Sequence, residues 1–315
     1  MGTKEQETLN QQRERRKRIN RMKTMIIMTI SGWMLLSFIS IIILFVQLIS
    51  VNRKLDKLTN ASIISSEKVD DNEANIDDDV NLTYGTEFYG VETGIDSPEN
   101  MASEGDVHQV YLTFDCIPSE NTDAILDVLK ERNIKATFFV VGDESEEAKE
   151  IYKRIVDEGH TLGMHSFSNQ YSTIYASKES FISDYTQLSD YLFEVTGVKS
   201  EYYRFPGGSG NQISNVNMVD LVRVLNENQI TYYDWNVSAG DAASTYTSED
   251  VVNNVITGVE KYKTSVVLLH DDKNKSTTVE ALIPLLDELD TMGADVLPID
   301  KNTNVIQYIK AESVE

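Results

Sequence analysis

Hydrophobic and polar positions divide this chain into stretches with different periods. Residues 24–52 carry no charge and are rich in Ile, Leu, Met and Phe. A hydrocarbon core about 30 Å thick needs about 20 apolar residues, so this run predicts a membrane-spanning helix with some tilt. It outlasts the apolar core of a cleaved secretory signal, about 7–15 residues. Its exit, Gln47-Leu48-Ile49-Ser50-Val51, also lacks a small-x-small cleavage pattern. From 58 to 106 the large apolar residues thin out among Asp, Glu, Asn, Ser and Thr. Such a segment buries too little to offset its ordering entropy and predicts a disordered stalk.

After Val107 short apolar runs alternate with amphipathic stretches. Strands are expected at 108–114, 136–141, 161–164, 202–205, 230–236, 265–270 and 294–298. Helices are expected at 122–132, with Thr122 as N-cap, and at 148–158, 178–196, 215–228, 248–261 and 279–292. Strand–helix alternation predicts a parallel sheet with crossover helices, an α/β fold. The number of units suits a deformed (β/α) barrel, in which chemistry gathers at the C-terminal ends of the strands. The expected organisation is a basic tail at 1–23, a signal anchor at 24–52, an acidic stalk at 53–106, the folded domain at 107–306 and a short tail at 307–315.

Charge fixes the orientation of the span. Lys4, Arg13, Arg15, Arg16, Lys17, Arg18, Arg21 and Lys23 precede it, and only Arg53, Lys54 and Lys57 follow closely. The positive-inside rule puts the N-terminus in the cytoplasm and the folded domain outside. The net charge of -23 is unevenly spread. Residues 1–57 hold 11 Lys and Arg against 4 Asp and Glu, and the remainder holds 17 against 47. An outer portion that acidic repels nucleic acid. One cysteine allows no internal disulfide.

Chemistry-bearing residues fall where predicted strands end. Asp115 and Cys116 close Leu112-Thr113-Phe114, and His165-Ser166-Phe167-Ser168-Asn169 follows the third strand. Arg204-Phe205-Pro206-Gly207 ends another, Trp235 leads toward Asp241, and Leu268-Leu269-His270 closes the sixth. His108 and His160 lie outside these groups and read as ordinary edge or loop residues. Tyr171, Tyr175, Tyr202 and Tyr203 suit either sugar stacking or packing. Gly207-Gly208-Ser209-Gly210 lacks the Lys-Ser/Thr of a phosphate cradle.

Taken in order, these groups resemble the motifs of the polysaccharide deacetylases (carbohydrate esterase family 4, the NodB-homology domain), over roughly 107–306. The resemblance implies a deformed barrel of that type, with Asp115 as general base and Arg204 orienting it. It implies His270 as general acid, tuned by Asp241. Phe205, Pro206 and Trp235 would line the groove, and Leu268 the acetyl pocket. It further implies an Asp-His-His site for a divalent metal. Such an ion lowers the pKa of water from about 15.7 to about 7. Here His165 matches the first histidine, whereas Cys116 and Asn169 occupy the other two ligand positions. A thiolate at 116 would bias the site toward zinc; alternatively Cys116 is a small, buried, inert residue.

Two functions follow. One is a membrane-anchored hydrolase that removes N-acetyl groups from an external glycan, with peptidoglycan amino sugars the leading substrate. The other is a glycan-binding sensor or cell-wall scaffold that keeps the groove without the metal. Retained acid–base residues favour the first, and Cys116 and Asn169 the second.

Overall fold

Strand β1, Gln109–Cys116, is buried along nearly its whole length, as a central strand of a parallel sheet must be. Its side chains alternate. Val110, Leu112, Phe114 and Cys116 join the large core beneath the helices, and Tyr111 joins a second apolar cluster on the opposite face. The computed structural model describes residues 98–314, apart from Glu104, Ala243 and Ser244. The expected cytoplasmic tail, membrane span and most of the stalk lie outside the described residues. Among those residues no helix is long and apolar enough to cross a membrane.

In chain order the elements are β1, α1 (Glu120–Glu131), β2 (Thr137–Val141), α2 (Glu146–Asp157), β3 (Thr161–Ser166), α3 (Lys178–Thr196) and β4 (Tyr202–Tyr203). There follow α4 (Met218–Glu227), β5 (Thr231–Tyr232), β6 (Val237–Ser238), α5 (Ser248–Val259), β7 (Thr264–Asp271), α6 (Ser276–Thr291) and β8 (Asp295–Val296). The strands pair in parallel in the order β5-β4-β3-β2-β1-β7-β6, with β8 beside the start of β1. Helix α1 opens on a Ser119 capping box in which Thr122 is the reciprocal partner. Thr122 is therefore not the N-cap, as its position before the apolar run had suggested.

Connectivity forces this sheet to roll. Strands β5 and β6 stand at opposite ends of the path, yet only residues 233–236 separate them in sequence. Laid flat, seven strands would hold those ends about 29 Å apart, whereas the linker reaches no more than about 18 Å. The result is a curled, parallel half-barrel, open between β5 and β6, which is the form that the expected deformed (β/α) barrel takes. Residues 306–309 fill that opening. Asp234 N–H donates to the Ile306 carbonyl at 2.8 Å, Gln307 Nε2 to the Tyr232 carbonyl at 2.9 Å, and the Tyr232 hydroxyl to the Ile309 carbonyl.

Packing thus continues past both expected bounds of the domain. Gln307, Tyr308 and Ile309 are buried. At the other end, Asn100 exchanges two hydrogen bonds with the Thr264 backbone, and Met101 bridges to Tyr262.

Candidate active site

Parallel pairing sets Asp115 of β1 directly beside His270 of β7. Partners in register point to the same face, so base and acid candidates share one strand-end mouth. Leu268, two residues before His270, is buried in the inner apolar cluster with Trp235 and Tyr308.

Asp115 is held by the residue that follows β4. Arg204 is fully buried and its Nη1 donates to Asp115 Oδ1 at 3.0 Å. Its Nε and Nη2 donate to the carbonyls of Tyr233 and Asp234 at 3.1 and 3.3 Å. The guanidinium also lies 4.3 Å from the Phe139 ring centre and 5.7 Å from that of Trp235. With each nitrogen engaged, Arg204 fixes the carboxylate's charge and direction. Removing one partner from a buried pair of this kind costs about 3–5 kcal/mol. The Phe139 platform itself depends on Gly163, where an added Cβ would come within 2.5 Å of the ring.

His270 is held from the β6–α5 loop. Asp241 Oδ1 accepts from its Nδ1 at 2.9 Å, and Oδ2 accepts from its backbone N–H at 2.8 Å. The Thr278 hydroxyl donates to Oδ2 at 2.8 Å, and Lys275 Nζ grips the carbonyls of Asp241 and Ala242. A proton fixed on Nδ1 assigns acid–base work to Nε2. His165 follows the same logic. Its Nδ1 donates to the Arg204 carbonyl at 2.9 Å, and its Nε2 lies 4.0 Å from Asp115 Oδ2. Asp115, His165, Arg204 and His270 are thus one linked constellation, with Asp241 behind it.

A family model for polysaccharide deacetylase matches residues 102–231. The catalytic domain of a peptidoglycan N-acetylglucosamine deacetylase from Eubacterium rectale superposes with a TM-score of 0.61 at 33% identity, covering 68% of this chain and all of that one. This chain belongs to the polysaccharide deacetylase family. Among curated relatives, a putative polysaccharide deacetylase of Bacillus subtilis is 33% identical over 190 residues, 58% of this chain and 64% of that protein. A Bacillus cereus peptidoglycan-N-acetylglucosamine deacetylase is 29% identical over 189 residues, 59% of this chain and 65% of its own length. The match therefore spans a little under two thirds of each of these two relatives.

The metal set implied for the polysaccharide deacetylase family does not fit the donors present. Cys116 alternates away from Asp115 into the helix-facing core, its Sγ 3.7 Å from Thr122 Oγ1, and Asp271 is its register partner on β7. Burial pushes its thiol well above the ordinary range, and the nearby Asp271 carboxyl adds to this; its place in the core on the face away from Asp115 is what takes it out of the ligand set. Asn169 is an exposed residue at φ 50°, in the left-handed turn that Asn tolerates. His165 remains the one matching ligand, and among the described residues no three His, Cys, Asp or Glu cluster as a metal site. The reason for favouring zinc falls with Cys116.

Two further placements differ from expectation. Phe205 is no groove wall: it is fully buried against Phe181, Tyr203 and Tyr232. Pro206 is buried too, its carbonyl accepting from the Tyr175 hydroxyl at 2.7 Å. Trp235 remains at the mouth, edge-on to Tyr308 and 8% exposed.

Several residues that shape the site escaped the motif reading. Asp234 is fully buried and binds Ser209 and Tyr308, tying the 207–210 loop to the C-terminal segment. Burial raises its pKa against the pull of those hydrogen bonds. Its signal was a lone acid inside the run Tyr232-Tyr233-Asp234-Trp235. Asp184 is buried within the stripe Phe181, Tyr185, Leu188 and Leu192 of α3, a charged residue at an apolar helical position.

Proposed function

We propose that this chain is a hydrolase that removes acetyl groups from N-acetylated sugars of a surface glycan, with peptidoglycan amino sugars as substrate. One observation carries the reading: two independently buttressed acid–base groups, Asp115 on Arg204 and His270 on Asp241, sit side by side in register at one mouth. Partners fixed this way are what amide hydrolysis demands, since a water must lose a proton as the leaving amine gains one. Asp115 takes the proton from the attacking water. His270 Nε2 delivers one to the departing nitrogen, and Asp241 steadies the imidazolium that forms in the cycle. Arg204 is spent on Asp115 and two backbone carbonyls, so it positions the base and does not polarise the acetyl carbonyl. Support for the substrate class comes from the relatives named as peptidoglycan N-acetylglucosamine deacetylases.

A metal bound in the family's manner would supply Lewis-acid polarisation. His165 alone offers it a matching ligand, and recruiting Asp115 would remove the base. That shortfall supports a second reading, in which the mouth binds an N-acetylated glycan as a sensor or scaffold. Acetate release from N-acetylglucosamine oligomers and peptidoglycan, measured beside binding of the same oligomers, separates the two. Release that Asp115→Asn abolishes supports the hydrolase, and binding without release supports the sensor. Membrane anchoring through 24–52, with the domain outside, completes the proposal. Protease access to the domain on intact cells tests it.

A further inference from the structure

We infer that Asp184 is a positioning residue that sets the loop directly after His165, and through it the seat of Asp115. The inference rests on the hydrolase reading for its catalytic consequence, but its structural part stands apart from it. Asp184 is 6% exposed on α3, outside the mouth motifs in sequence. Its Oδ1 accepts from Ser166 Oγ at 3.0 Å and from the Phe167 backbone N–H at 2.9 Å. Its Oδ2 accepts from the Ser168 N–H at 3.0 Å and from Ser168 Oγ at 2.7 Å. Four neutral donors satisfy a buried carboxylate without a cation, which is how such a charge is kept inside.

The four bonds span three consecutive residues, so one carboxylate dictates the whole exit from β3. Ser166 Oγ passes the constraint on by accepting from the Asn169 N–H at 2.9 Å, where the backbone turns left-handed. The Ser166 carbonyl accepts from Gly142 N–H at 2.9 Å, and the Phe167 ring packs edge-on to Tyr191. Immediately before this loop stands His165, whose Nδ1 grips the Arg204 carbonyl; the Arg204 side chain in turn grips Asp115. A helix position reserved for an apolar residue thus holds an acid that is linked to the base through contiguous bonds.

The test uses Asp184→Asn, which keeps shape but offers an amide N–H₂ where two donors need an acceptor. Two quantities are read: backbone hydrogen exchange at 166–169 and steady-state acetate release from N-acetylglucosamine oligomers. Exchange is expected to rise at Phe167, Ser168 and Asn169 while β1 and β7 stay protected. kcat is expected to fall by up to about 100-fold, the cost of misplacing a reacting group by about 1 Å, with KM nearly unchanged. Ser168→Ala removes one side-chain donor and is expected to give a smaller change of the same kind, even if Asp184→Asn fails to fold. Wild-type exchange and kcat in both variants would overturn the inference. So would exchange that rises evenly across β1, β7 and the loop, since that marks a general support. If the wild-type protein releases no acetate, the hydrolase reading fails, and the exchange pattern alone decides the role of Asp184.

Discussion

Replacing Asp271 by Asn is expected to stabilise the protein at neutral pH and to leave it nearly unchanged in acid. Asp271 is 1% exposed and stands in register with Cys116 on the helix-facing side of the sheet. Burial pushes its carboxyl up from 3.8 to about 7, against smaller opposing pulls from Cys116 and Thr122. The folded state therefore holds a proton that the unfolded state has released between about pH 4 and 7. Stability from this group is whole below the unfolded pKa and is lost as pH rises through the folded one. A rise from 3.8 to about 7 sets an upper bound of about 4 kcal/mol on that loss. Asn cannot ionise, so the variant escapes it. His160 works in the opposite sense over the same window. Burial lowers its pKa from 6.5 to about 4, so its contribution is whole above pH 6.5 and disappears as pH falls. The two slopes offset each other in the wild-type protein, whereas the variant keeps only the rising one. Denaturant unfolding followed by fluorescence, at half-unit steps from pH 4 to 8, reads the difference. Curves that stay parallel across that range would refute the buried acid–thiol cluster, and with it the reason for removing Cys116 from the metal set.

Other consequences are open to simpler assays. The Cys116 thiol should resist alkylation until the protein is denatured, and Cys116→Ala should leave zinc affinity unchanged in calorimetry; a clear loss of affinity would return Cys116 to the mouth. Gly163→Ala drives a Cβ into Phe139 beneath Arg204, and should cost about 1–3 kcal/mol of stability by overpacking together with activity; unchanged unfolding and turnover would refute the platform role. Asp241→Asn leaves the His270 ring without its carboxylate, and kcat should fall by about 10²–10⁴-fold while KM holds. A change confined to KM would contradict Asp241 as the partner of the acid.

The sequence revealed the alternation of strands and helices, because parallel strands buried on both faces are continuous apolar runs and crossover helices keep their stripe. The four-residue mouth was legible for a related reason. Asp115, His165, Arg204 and His270 each close a strand, and strand ends converge in this topology. Side-chain direction was harder to read. Asp115 and Cys116 are consecutive in one extended strand, so period-two alternation sends them to opposite faces. Motif position alone treated them as neighbours in one site. Phe205 went astray in the same way, one residue beyond the inward-facing Arg204. Short strands such as β5 and β6 were hidden because the aromatic residues Tyr233 and Trp235 carry a strand-like alternation through the linker 233–236, and the opening between them is visible only in three dimensions. Asp184 and Asp234 act through backbone donors on other segments, and no local spacing encodes such partners.

The central claim, that Asp115 and His270 work as one acid–base unit, is tested most directly by acetate release from the Asp115→Asn, His270→Ala and doubly substituted proteins. Groups acting as a unit are strongly non-additive. Each single change is therefore expected to lower kcat nearly as far as the pair. Independent losses that multiply in the double variant, or single variants that turn over like the wild type, would contradict the account.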